Sequence, residues 1–238
     1  MKKNLNVLIT GASRGIGNAI AKTISHRTGK MIVTSHYPET IAKGVEEIRK
    51  IYKGIILQYN IDQSKGEDSA IELSAWLSAQ VDHLDALILC AGDYYEGKLT
   101  SISSNDFKDT MNTNFTFNFY VVRKLLPLLK RGKCPRIVII GSTAAYSAYS
   151  VPSYGIAKFA LRGFAVNLRQ ELMNENIGVT FVSPGPTLTD MWADVDVPPN
   201  RILEPSDIAK IVDNLFELSD QAVVEEVIVR PMLGEYDE

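Results

Sequence analysis

The sequence predicts an α/β fold: a seven-stranded parallel sheet, doubly wound, with helices on both faces. Two observations carry that expectation. Short β-rich runs alternate with longer stretches in which apolar residues recur every three to four positions. The short runs are mostly apolar without interruption, as strands buried on both sides are, so helices must cover the sheet above and below. At 238 residues with 45% apolar content, the chain can bury one good core. Residues 1–238 are therefore read as a single domain.

The first strand is expected at residues 5–10. Met1-Lys2-Lys3 carries the charge of a secretory signal, but the apolar stretch 5–9 is interrupted by Asn6 and runs into a glycine-rich turn, which a signal peptide does not. A helix follows from Asn18 to Thr28, then a strand at 31–35. Ile41, Val45, Ile48 and Tyr52 keep helical spacing before a strand at 55–60. Ala70, Ser74, Leu77 and Val81 do the same behind a Ser64/Glu67 capping-box signal, ahead of a strand at 86–90. Residues 105–130 and 153–174 are helical in period but richer in apolar residues than one buried face requires, which points to packing against a second copy as well as the sheet. Strands at 136–142, 179–183 and 226–230 complete the seven.

The composition excludes several partners. Twenty-five basic residues against 28 acidic ones leave a net charge of −3, so no global field favours nucleic acid or an anionic membrane. Cys90 and Cys134 belong to no Cys-x-x-Cys or Cys/His cluster, which argues against a disulfide framework and a metal site and fits a reducing cytoplasm. No apolar run approaches the roughly 18–20 residues that span a bilayer.

The chemistry starts behind the first strand, at Thr10-Gly11-Ala12-Ser13-Arg14-Gly15-Ile16-Gly17. Glycines let such a turn tighten and let backbone N–H groups approach a pyrophosphate at the positive end of the following helix. The Gly-x-x-x-Gly-x-Gly spacing differs from the common dinucleotide fingerprint, and a glycine triple alone also fits a purely structural turn. Methyltransferases usually add an acidic residue beside such glycines. None occurs from Val7 to Gly17.

Tyr154 and Lys158 stand four apart at the start of a predicted helix, on one face and within mutual reach. An ammonium beside a phenol favours the phenolate and lowers a pKa of about 10, so Tyr154 is a candidate general acid or base for hydride transfer to or from a carbonyl. Tyr94/Lys98 and Tyr120/Lys124 share the spacing. The first is interrupted by Gly97 in a loop, and the second sits mid-helix without a serine-bearing strand ahead of it. Only Tyr154 follows such a strand, which ends at Ser142 on the sheet edge where ligands collect.

Taken together, the glycine loop, Ser142, Tyr154-x-x-x-Lys158 and Pro184-Gly185 resemble the short-chain dehydrogenases/reductases in order and spacing, over roughly residues 5–192. The resemblance implies a Rossmann-like fold. It also implies that Ser142 holds the substrate oxygen, Tyr154 exchanges its proton, and Lys158 tunes Tyr154 while binding the nicotinamide ribose. Asn114, within Met111-Asn112-Thr113-Asn114-Phe115, matches the helix asparagine of the family's proton relay. Asp62 matches an adenine-contacting aspartate, and an aspartate there also reads as a helix cap. Pro184, Gly185, Thr187 and Thr189 fall in the loop that contacts the nicotinamide. Leu89-Cys90-Ala91-Gly92 departs from the family's Asn-Asn-Ala-Gly, which puts sheet hydrogen bonding there in doubt. Ala91 and Gly92 remain cofactor contacts, and Cys90 reads as a small buried hydrophobe.

An NAD binder usually ends its second strand on a carboxylate for the ribose 2′-OH, whereas a 2′-phosphate needs cations or hydroxyls. Here Ser35 and His36 stand at that point, and Arg14 lies where NADP-binding relatives often carry a base. NADP(H) is therefore expected over NAD(H), with Glu39 the carboxylate that could fold back toward the ribose. Residues 190–203, with Trp192 and Pro198-Pro199, read as a short substrate lid, although Trp192 also suits a core anchor. The expected protein is an NADP(H)-dependent carbonyl reductase or alcohol dehydrogenase acting on a small molecule, as a homodimer or homotetramer, without metal, nucleic acid or membrane. Two alternatives stand beside it. One is a 3-oxoacyl-acyl-carrier-protein reductase, weakened by a C-terminus that lacks that group's glycine-rich ending. The other is a non-catalytic dinucleotide sensor, which would have no need of all four catalytic positions. A nucleotide-sugar epimerase would need a larger C-terminal region than follows Pro184.

Overall fold

The structure, a computed structural model, describes residues 4–93, 95–192 and 196–234. Alternation along the strands decides which helix covers which face. In β1 (Leu5–Thr10), Val7 and Ile9 enter one apolar cluster and Leu8 the other. In β2 (Thr28–Ser35), Met31 and Val33 oppose Ile32, and in β5 (Arg136–Ile140), Val138 and Ile140 oppose Ile137 and Ile139. Helices α1 (Gly15–Thr23), α2 (Pro38–Arg49) and α7 (Pro205–Leu215) cover the first face through Ile20, Ile41, Ile48, Ile208 and Val212. Helices α3 (Glu67–Ser78), α5 (Phe117–Leu129) and α6 (Pro152–Leu172) cover the second through Leu73, Phe117, Leu125, Leu161 and Leu168. Phe117 and Phe181 are fully buried there, each contributing about 1.5–3 kcal/mol by removal from water.

With β3 (Ile55–Asn60), β4 (Ala86–Leu89), β6 (Gly178–Pro184) and β7 (Glu226–Val229), the strands form one parallel sheet in the order β3-β2-β1-β4-β5-β6-β7. The order reverses between β1 and β4. Loops leaving these two strands diverge and open a crevice at the C-terminal edge of the sheet, the usual ligand position in open α/β folds. No helix among the described residues is long and apolar enough to cross a membrane.

Several boundaries differ from the sequence expectation for identifiable reasons. The first helix ends at Thr23 rather than Thr28, followed by a 3₁₀ turn, Ile24–Arg27. Arg27 is buried there, its guanidinium held by Asp213 at 2.6 Å and by Glu217. β2 starts three residues early because Gly29 lets its backbone approach that of Asn4, at a register shift opposite Leu5. The capping box expected at Ser64/Glu67 does not form: Ser64 sits in a 3₁₀ turn capped by Asp62, and α3 starts after Gly66, at φ 59°. The single helix expected over 105–130 is α4 (Ser104–Met111), a π-helical turn at Asn112–Thr116, and α5. Met1-Lys2-Lys3, Tyr94 of the Tyr94/Lys98 pair, and residues 193–195 within the expected lid lie outside the described residues.

Candidate active site

A cleft of about 900 Å³ runs along the C-terminal edge of the sheet, across the β1/β4 reversal. Its floor at one end is the glycine loop. Gly11 has φ 66° and Gly15 φ 54°, backbone conformations that L side chains rarely adopt. A Cβ at Gly11 would lie 2.8 Å from Ala91 Cα, and one at Gly17 would lie 2.3 Å from Gly11 O. The loop therefore packs against the turn after β4 and folds tightly onto the start of α1. Ser13, Arg14 and Ile16 line the cleft beside Gly11 and Gly17. No acidic residue stands in the first turn of α1, which leaves the positive end of the helix dipole uncompensated there.

Hydroxyls gather at the end of β2. Ser35 Oγ donates to Ser13 Oγ at 2.9 Å and lies 3.5 Å from Thr40 Oγ1. Ser35, His36 and Thr40 line the cleft, whereas Glu39 is exposed in the first turn of α2. The His36 ring stacks on Tyr37, with centroids 4.2 Å apart. Arg14 Nη1 reaches across to Asp190 Oδ2 at 2.6 Å, tying the glycine loop to the segment after β6. The cleft wall after β3 is formed by Gln63 and Ser64. The Asp62 carboxylate accepts from the Ser64 N–H and hydroxyl, and these bonds with His36 and Lys65 hold it below the usual carboxylate range against the opposing effect of burial.

Of the four residues expected to be catalytic, Ser142, Tyr154 and Lys158 line the cleft and Asn114 stands behind Gly92. Tyr154 and Lys158 lie in α6 and both line the cleft; Lys158 Nζ stands 5.1 Å from the Tyr154 ring centroid. Lys158 is buried, and desolvation pushes its ammonium down to about 8. Asn114 lies behind Gly92: a Cβ at Gly92 would be 2.9 Å from Asn114 Oδ1 and 3.4 Å from Lys158 Nζ. Asn114 Nδ2 donates to Thr110 O and Asp93 O, while its Oδ1 is buried with no hydrogen-bond partner among the described residues. Ser142 lines the cleft at the end of β5, its hydroxyl accepting from the Ala144 N–H at 3.1 Å. The competing Tyr120/Lys124 pair is on α5, where Lys124 faces Glu67 at 3.9 Å and neither side chain joins the cleft wall.

Pro184, Gly185, Thr187 and Thr189 form the opposite wall. Thr187 and Leu203 make an isolated parallel bridge; the Leu188 N–H donates to Leu203 O and the Leu203 N–H to Pro186 O, each at 2.8 Å. Residues 186–188 and Leu203, at either end of the expected lid, are thus pinned together. Trp192, half-buried, lines the cleft from this segment.

Three supporting residues escaped the sequence reading. Thr10 Oγ1 accepts from the N–H groups of Cys90 and Ala91, at 3.0 and 3.2 Å, and so supplies a hydrogen-bond anchor where the asparagines are missing. Asn18 Nδ2 donates to Ala12 O and Gly44 O, locking α1, the glycine loop and α2 together. A Cβ at Gly44 would lie 2.4 Å from Ser13 O, so α2 sits directly on the loop. Apart from the six-residue step from Asn18 to Ala12, these links join residues distant in sequence, and none leaves a recognisable local pattern. The Cys90 thiol is held up to about 12 by desolvation and so stays neutral, but the side chain is half-buried and lines the cleft, where the sequence predicts a buried hydrophobe.

The short chain dehydrogenase family profile matches residues 5–199. The sepiapterin reductase of Chlorobaculum tepidum is 30% identical, over 96% of this chain and 97% of its own length. The 3-oxoacyl-acyl-carrier-protein reductase FabG of Salmonella typhimurium is 31% identical, over 77% of this chain and 74% of its own. Among solved structures, the RhlG/NADP active-site complex of Pseudomonas aeruginosa superposes with a TM-score of 0.87 at 25% identity, covering 97% of this chain and 96% of that one.

Proposed function

This chain belongs to the short-chain dehydrogenase/reductase family, and we propose that it is an NADP(H)-dependent oxidoreductase interconverting a carbonyl and an alcohol, with Tyr154 as general acid and base. The observation that carries this reading is the convergence of Lys158 and the orphaned Asn114 Oδ1 behind Gly92, beside the Tyr154 ring.

The residues present fit a dinucleotide. Gly11 and Gly17 keep open a cradle that side chains would fill, and α1 directs its N-terminus toward it. Gly11, Ser13, Gly15, Ile16, Gly17, Ala91 and Gly92 would hold the pyrophosphate and adjacent ribose. Pro184, Gly185, Thr187 and Thr189 would flank the nicotinamide, with Asp62 supporting the adenine wall through its turn. The hydroxyls of Ser13, Ser35 and Thr40, with His36, favour a 2′-phosphate over a bare 2′-OH, and the likeness to RhlG bound to NADP supports the same preference; Arg14, paired with Asp190, would join them only on leaving that partner. When bound, the nicotinamide supplies or accepts the hydride.

The chain's own residues handle the proton and the oxygen. Ser142 holds the substrate oxygen, and Tyr154 donates its phenolic proton to that oxygen in reduction or takes it back in oxidation. The Lys158 ammonium beside the ring favours the phenolate left behind. Asn114 Oδ1 accepts from a water that reaches Lys158, re-protonating Tyr154 from the buried side. Trp192 on the cleft wall, with the Thr187–Leu203 bridge behind it, would shield the reactants from water.

Fluorescence titration of NADPH against NADH, followed by a carbonyl panel in the same cuvette, tests the reading. Tighter NADPH binding with turnover is expected. Tyr154→Phe should keep NADPH binding and lose about 10²–10⁴-fold in kcat. Full activity in that variant, or no dinucleotide binding by the wild type, would overturn the assignment.

A further inference from the structure

The cleft wall after Gly92, which meets the catalytic residues where Asn114 donates to Asp93 O and Ser153 donates to Tyr95 O, is asymmetric in charge. The chain following Gly92 contributes Asp93 and Glu96 to it, and α4 contributes Asp109. Tyr95 lies between Asp93 and Glu96 in sequence; burial first, then the charges of Asp109, Asp93 and Asp106 and the Tyr37 phenol, hold its phenol above the usual tyrosine range. The basic side chains among the described lining residues are Arg14, His36 and Lys158. Arg14 is paired with Asp190, His36 stands at the β2 end on Tyr37, and Lys158 is buried under Tyr154. None of the three offers a cation to a group bound beyond Tyr154.

Aromatic surfaces complete the same region. Tyr149 lies 5.6 Å from Tyr154, centroid to centroid and tilted by 44°, and Tyr95 and Trp192 also line the cleft. Ring faces carry negative potential, so they accept a flat unsaturated group by offset stacking and attract a cation. Carboxylates accept N–H donors strongly and repel anions.

We propose that this cleft selects a flat, uncharged or cationic carbonyl substrate rich in hydrogen-bond donors, and discriminates against carboxylated and phosphorylated ones, with Asp93 and Glu96 as the specificity-determining carboxylates. The inference rests on the assignment of Tyr154 as the reacting end. It concerns the selectivity of that cleft, not a separate site.

Three acetophenones carrying a para aminomethyl, hydroxymethyl or carboxymethyl group test it, because the methylene insulates the ketone electronically while the charge varies. Their binding to the NADPH-loaded protein is measured by nicotinamide fluorescence, and their turnover by nicotinamide absorbance. The aminomethyl ketone should bind at least about tenfold more tightly than the carboxymethyl one. That ratio should fall at least about threefold in Glu96→Gln and in Asp93→Asn, and should shrink with added salt. Equal binding, a preference for the carboxylate, an unchanged ratio in both variants, or no binding of the aminomethyl ketone overturns the proposal. Selective binding without turnover of any ketone sustains the selectivity and counts against the oxidoreductase reading instead, so the two failures are distinguishable.

Discussion

Lys158 is charged, buried and central, and these properties make opposing demands on the chain. Desolvation holds its folded-state pKa at about 8, against about 10.4 for an unfolded lysine. Between those values the unfolded chain binds more protons than the folded one, so this group makes stability rise with pH across that window. Below pH 8 the folded state carries the full penalty of the buried ammonium, on the order of 3 kcal/mol at about 1.36 kcal/mol per pKa unit. Lys158→Met should therefore stabilise the dinucleotide-free protein at pH 7 by roughly 1–3 kcal/mol while abolishing turnover, and the gain should vanish near pH 10.5. Urea denaturation at both pH values checks this; a variant destabilised equally at both would show that Lys158 contributes packing alone. At this scale the sequence was informative where spacing is local. The four-residue step between Tyr154 and Lys158 is readable because a helix stacks such residues. The service of Thr10 to Cys90 and Ala91 is not, because it spans 80 and 81 positions and depends on β1 lying beside β4.

Among the elements, all seven strands were legible: β1, β2, β4, β5 and β6 are largely buried on both faces and need no alternation to be recognised, whereas β3 and β7, at the two edges of the sheet, are partly exposed and were placed by shorter apolar runs. What escaped was how backbone departs from regular geometry. The π-turn at Asn112–Thr116 exists where Asn114 Nδ2 bonds to Thr110 O and Asn118 Nδ2 bonds to Asn114 O, side-chain bonds that compete with the helical ladder and turn Asn114 inward. Asparagine composition alone does not announce such a turn. Gly44 was equally silent, a helix-interior glycine whose reason lies in the loop beneath it. Its value is testable because propensity and packing predict opposite signs. Gly44→Ala should gain about 1 kcal/mol from helix propensity. The added Cβ, 2.4 Å from Ser13 O, must lever α2 off the loop, an overpacking cost of about 1–3 kcal/mol or more. The expected net result is a lower Tm and NADPH binding weakened more than stability is, because the displaced backbone belongs to the cradle. A more stable variant with unchanged NADPH affinity would show that α2 yields without disturbing the loop.

For the whole molecule, the apolar excess noticed in the sequence over 153–174 has a definite location. Ile156, Phe159 and Val166 are exposed at helical spacing along the outer face of α6, and Gly163 between them has no heavy atom within 4 Å of where its Cβ would stand. Next to this face Phe119 of α5 packs edge-on against Phe164, centroids 5.4 Å apart. A flat aliphatic and aromatic surface with a glycine at its centre lets a second helix approach closely, and a specific contact of about 1,000 Å² or more would cover it. The expectation is a homodimer, or a tetramer built from such dimers, joined through α5 and α6. Light scattering on an eluting peak should give a mass of two or four times the 26.4 kDa chain. Phe159→Glu combined with Val166→Glu should reduce that mass to a single chain while leaving the far-ultraviolet circular dichroism unchanged, because neither side chain is part of the buried core. The paired α6 helices would also brace Tyr154 and Lys158 in the first turns of the same helix, so the monomeric variant should lose turnover through raised mobility of the site. A monomeric wild type, or a double variant of unchanged mass, would mean that this face meets solvent and that the apolar excess serves some other contact.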